Sequence, residues 1–114
     1  MKRTKTNLFL IGSLFLCVIA AACSKTDKNE LFQQKLNVID GVMQEGNTQK
    51  ALNNLRALRK KAQIPIQYLS IAKRELQLHA PVQAVQSIQA GLKKHPGDAM
   101  LNAAMVSTLL QENR

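Results

Sequence analysis

The chain has 114 residues, 46% of them hydrophobic and only 4% aromatic, and 16 Lys and Arg against 7 Asp and Glu give it a formal net charge of +9. This length leaves room for one small domain, and the basic balance favours acidic partners or an anionic membrane surface while saying nothing about fold. With no Trp and few other rings, the stacking platforms that single-stranded nucleic acid needs are missing, so no nucleic-acid partner is expected.

The first element runs from a positive segment, Met1-Lys2-Arg3-Thr4-Lys5-Thr6, into an apolar stretch from Leu8 to Ala22 that closes on Ala20-Ala21-Ala22. That is the three-part layout of an export signal. The stretch falls short of the roughly 20 apolar residues of a bilayer-spanning helix, and Gly12 and Ser13 interrupt it. Ile19-Ala20-Ala21-Ala22-Cys23-Ser24 resembles the lipobox of bacterial lipoproteins. The resemblance implies that residues 1–22 are a signal peptide cut before Cys23, that Cys23 carries a covalent lipid, and that 23–29 form a lipidated tether. Two or three acyl chains make such an anchor stable. Ser24, where inner-membrane retention uses Asp, resembles the sorting pattern of Gram-negative lipoproteins and implies the periplasmic face of the outer membrane. Cys17 would leave with the signal and Cys23 would be capped, so neither a disulfide framework nor a thiolate metal site is expected. Removal of the 22 residues leaves 92, and the loss of Lys2, Arg3 and Lys5 lowers the net charge to +6.

From Glu30 onward the chain is dense in Leu, Ala, Gln and Lys, with no alternating strand pattern, which predicts an all-α domain over 30–114. Phe32, Leu36, Ile39 and Met43 mark a first helix, and Gly46-Asn47 a turn. Ala51, Leu52, Leu55 and Leu58 mark a second. After Pro65, Leu69, Ala72 and Leu76 give a third stripe, His79-Ala80-Pro81 a turn, and Val85, Ile88 and Leu92 a fourth. Pro81 suits the first turn of a helix. Pro96-Gly97 ends the fourth helix, and Asp98 is placed to cap a fifth from about Ala99 to Gln111.

The first helix pair slides onto the second with a shift of 33 residues: Gln34, Leu36, Gln44, Ala51, Ala57, Lys60 and Lys61 match Gln67, Leu69, Gln77, Ala84, Ala90, Lys93 and Lys94. Val38/Ile71, Met43/Leu76, Leu52/Val85 and Leu55/Ile88 are conservative pairs in the same register. Such a period built from two helices and a turn marks a helical solenoid. Tyr68, Ile71, Ala72, Ala84, Ile88, Gly91 and Pro96 then resemble the large, small and proline positions of the tetratricopeptide repeat. The resemblance implies a TPR-like hairpin solenoid of two helix pairs plus a C-terminal capping helix. Two pairs are fewer than the three or so repeats that bury a continuous core, so pairing with itself or with another helical protein is expected.

His79 and His95 each fall at a helix end, where a cation suits the dipole. The acidic residues stand singly, and there is no paired acid and base, nucleophile turn or glycine-rich phosphate loop. No enzyme activity, metal or cofactor is expected. The resemblance implies a concave peptide groove, and Asn37, Asp40 and Gln44 on the first unit match Ser70, Lys73 and Gln77 on the second; solvated helix positions are the plainer alternative. Arg56, Arg59, Lys60, Lys61, Lys93 and Lys94 form a basic patch, read first as a solvated face favoured by helix dipoles. The expected function is an adaptor or assembly factor for an envelope protein or peptide, as in pilus, secretion or outer-membrane biogenesis. The alternatives are a surface protein binding anionic lipid headgroups, and an obligate subunit whose apolar ends, Phe32 and Leu109-Leu110, are completed by a complex.

Overall fold

The computed structural model describes residues 27–113 and holds five helices: α1 (Asp27–Gln44), α2 (Thr48–Arg59), α3 (Pro65–Gln77), α4 (Pro81–Lys94) and α5 (Ala99–Glu112). No strand occurs among the described residues. From Phe32 onward the chain forms one compact unit, and the all-α expectation holds.

Several helix ends follow from local signals. Gly46 closes α1 at φ 81, a left-handed conformation that a residue without Cβ adopts at little cost. Its N–H donates to the Met43 carbonyl at 3.0 Å, and the Asn47 N–H donates to that of Val42 at 3.3 Å, the paired bonds that satisfy the last carbonyls of a helix. Asn47 then caps α2, its side chain accepting from the Lys50 N–H. The turn after α3 repeats this geometry: the His79 N–H donates to the Leu76 carbonyl at 3.0 Å and the Ala80 N–H to that of Glu75 at 2.9 Å. Here the left-handed position is filled by His79, at φ 57, so His79 is a turn residue under backbone strain. Pro65 and Pro81 begin their helices, and Asp98 caps α5 by accepting from the Leu101 N–H at 2.9 Å.

The core is one cluster that includes Phe32, Leu36, Ile39 and Val42 of α1, Ala51, Leu55 and Leu58 of α2, Tyr68, Ile71 and Ala72 of α3, Ala84 and Ile88 of α4, and Leu101 of α5. α3 and α4 pack most closely, with α5 against α4. Gly91 makes this approach possible: a Cβ there would stand 2.9 Å from Cγ of Tyr68 and 3.1 Å from Cδ1 of Leu101. The phase of two stripes differs from the sequence expectation. On α3 the buried residues are Tyr68, Ile71, Ala72 and Glu75, while Leu69 and Leu76 are half-buried. On α4 they are Ala84, Ser87, Ile88 and Gly91, while Val85 and Leu92 are half-buried. Phe32 is buried and offers no apolar end; Leu109 and Leu110 are exposed as expected. Val38 is 66% exposed where Ile71, its match at the 33-residue shift, is 0% exposed.

Candidate functional site

α1 and α3 together line an open groove of about 440 Å³, bounded by Asp40, Met43, Gln44, Lys73, Arg74 and Gln77. Both helices turn a polar row to it, because residues three and four apart share a helix face. The Asp40 carboxylate receives two parallel bonds from the Arg74 guanidinium, Nε to Oδ1 at 2.7 Å and Nη2 to Oδ2 at 3.0 Å. Arg74 is steadied further by donating Nη1 to the Ser70 carbonyl at 3.0 Å. This fork-to-fork geometry fixes orientation as well as charge. The two charges satisfy one another, and exposed Lys73 adds a cation to the rim while the Gln44 and Gln77 amides add donors and acceptors. Met43 supplies an adaptable apolar surface. Such a lining offers hydrogen bonds and charge.

Of the six residues expected in the groove, Asp40, Gln44, Lys73 and Gln77 line it. Asn37 and Ser70 do not: the Asn37 side chain accepts from the Gln33 amide at 3.2 Å, and half-buried Ser70 offers its carbonyl to Arg74. Met43 and Arg74 were missed. Met43 belongs by its spacing to the apolar stripe of α1, and nothing local in the sequence marks Arg74 as the partner of a carboxylate 34 positions away.

The basic patch divides. Arg59 turns inward, donating Nη2 to Oε2 of Glu75 at 3.0 Å, Nε to Oγ of Ser87 at 2.8 Å, and Nη2 to the Gln83 carbonyl at 3.3 Å. It therefore faces the buried Glu75 and is removed from the patch. Ser87 also donates to Oε1 of Glu75, so the network joins α2, α3 and α4 around a carboxyl with no exposed surface. Burial raises the Glu75 pKa above the ordinary carboxylate range, against the lowering effects of Ser87 and Arg59. Lys94 reaches the Ala62 carbonyl at 3.3 Å, and the His95 ring donates to that of Gln63 at 2.6 Å. These bonds bring the end of α4 beside the turn after α2. Arg56, Lys60, Lys61 and Lys93 remain exposed. Lys35 of α1 joins them: the hydrogen bond and the charge of neighbouring Lys61 lower its pKa.

Cys23, the expected lipidation site, lies outside the described residues, as do the signal peptide and most of the tether. No helix among the described residues is long and apolar enough to cross a membrane.

No family model matches the chain, and no solved structure does so. Over 83 residues, 73% of its length, the chain is 32% identical to an uncharacterized protein of Treponema pallidum (strain Nichols). It spans only 13% of that protein, so the similarity concerns a small part of a much longer chain.

Proposed function

We propose that the protein is an envelope lipoprotein, anchored through Cys23 to the periplasmic face of the outer membrane, whose helical domain is an adaptor or assembly factor for another envelope protein. The observation that carries this reading is the groove between α1 and α3. A rim with an exposed lysine, two amides and a pre-set ion pair offers a partner peptide both backbone and side-chain contacts, and a pre-formed lining lowers the cost of binding. Support for the tetratricopeptide-like part comes from burial: at a shift of 33, Ile39/Ala72, Val42/Glu75, Ala51/Ala84, Leu55/Ile88 and Leu58/Gly91 are buried in both members. The two hairpins also turn on the same pair of backbone bonds. The lipidated tether would hold the groove close to the bilayer.

A second reading draws on the meeting of Lys35 with Lys61 beside the basic end of α4. Cations gathered in this way suit anionic headgroups, each contributing on the order of 1 kcal/mol near a charged surface.

One experiment separates the two. A photo-reactive residue at Lys73 is crosslinked in cells and the captured molecules identified by mass spectrometry, with and without Gln44→Trp to fill the groove. Under the adaptor reading one envelope protein dominates and is lost in the filled variant. Capture of lipid alone would move the function to the basic surface, and capture unaffected by Gln44→Trp would place the partner elsewhere.

A further inference from the structure

A surface helix ordinarily has one apolar stripe, facing the core. α5 has two. Leu101 and Thr108 are buried, with Ala104 and Met105 half-buried beside them. On the other side Ala103, Val106, Leu109 and Leu110 follow one another at three- and four-residue spacing and are exposed, the last three by 58%, 44% and 59%. The repeat does not require this second stripe. For three of its four members the counterparts one and two periods earlier are polar: Ala103 matches Ser70 and Asn37, Val106 matches Lys73 and Asp40, and Leu110 matches Gln77 and Gln44, while Leu109 matches apolar Leu76 and Met43.

We propose that this stripe is a self-association seam, on which the α5 of a second copy of the chain packs antiparallel about a twofold axis near Val106. Charge selects the occupant. Residues 27–98 hold eleven Lys and Arg against six Asp and Glu, whereas no charged residue occurs from Ala99 to Gln111. Two copies meeting through any basic face repel one another, but through α5 they bring no like charges together. Shape selects the orientation. With Val106 opposite itself, small Ala103 of one copy faces Leu109 and Leu110 of the other, so large side chains fill the space left by small ones. Antiparallel helices also place their dipoles favourably. The seam is one helix of 14 residues, about 21 Å long. Such an interface is small and its association weak, but it strengthens where lipid anchors concentrate the chain on a surface. None of the groove residues belongs to the seam, so a dimer would present two grooves and gain avidity for a repeated partner.

The test uses the full chain in mild detergent. Sedimentation across a concentration series should show a monomer–dimer equilibrium that Val106→Asp and, separately, Leu110→Lys each weaken by about tenfold, the loss of one buried valine-sized contact. Both positions are exposed, and unchanged circular dichroism checks that the helices persist. In a Cys17→Ser, Cys23→Ser background, a cysteine replacing Val106 should oxidise to a disulfide-linked dimer, and one replacing Val38, 66% exposed, should not. A monomer at every concentration, a dimer indifferent to both substitutions, or equal crosslinking from the two positions would each overturn the proposal.

Discussion

Glu75 shows how a single residue can be both a structural tie and a pH-dependent one. Its carboxyl is fully enclosed, held by Arg59 and Ser87. Removing one partner of a buried pair strands the other charge and costs roughly 3–5 kcal/mol. Arg59→Ala is therefore expected to destabilise by about that amount in chemical denaturation, far more than an exposed lysine such as Lys60→Ala. The pH dependence has a definite sign. Because burial raises the folded pKa above the ordinary value of 4.5, folding favours the protonated form. Stability from this group is fully present below pH 4.5 and is lost as pH rises through the folded pKa. Subtracting the unfolding free energy of Glu75→Gln from that of the unmodified chain isolates the effect, and the difference should fall over that window. A flat difference would mean that Arg59 and Ser87 balance burial, and a rising one that they outweigh it.

The helices themselves are set by their ends. The two hairpin turns share one hydrogen-bond pattern but differ in the residue at the left-handed position, Gly46 in one and His79 in the other. A side chain at positive φ costs roughly 1 kcal/mol that glycine avoids. His79→Gly is thus expected to raise stability by up to about 1 kcal/mol, the strain relief exceeding the added freedom of the unfolded chain. Gly46→Ala should lower it by a similar amount, although a Cβ there meets no atom within 4 Å. Thermal unfolding of the two variants would show opposite shifts. Shifts of the same sign would remove backbone conformation as the cause.

At the scale of the whole molecule, three helices converge on Gly91. The Cβ of Gly91→Ala would lie 2.9 Å from Cγ and 3.0 Å from Cβ of Tyr68, and neither atom is the free end of a flexible chain. Tyr68 is also tied by its hydroxyl to the Ala62 carbonyl at 2.8 Å. Overpacking of this kind costs about 1–3 kcal/mol, and the loss should appear in denaturant unfolding. Placed at Gly97, which has nothing within 4 Å, the same substitution should lack this packing cost. The groove and the proposed α5 seam both depend on this convergence, because α3 lines the first while α4 and α5 are held to it through Gly91.

The sequence by itself determined most of the turns and caps between helices, although α1 begins at Asp27, within the expected tether. Gly46-Asn47, Pro65, Pro81, Pro96-Gly97 and Asp98 act on backbone groups within about a turn of themselves, so their effect is readable without a fold. Four of the residues that the sequence put forward for a groove, Asp40, Gln44, Lys73 and Gln77, do line one. Only the tertiary structure decided which charges are solvated. Arg59 left the basic patch for Glu75, 16 residues on, and Arg74 met Asp40 across 34. It likewise decided that Tyr68 and Ile71, and not Leu69 and Leu76, face inward on α3. The physical reason is range. Capping and turn preferences are local, whereas the partner of a charge and the phase of a buried stripe depend on which neighbouring helix arrives, and from which side.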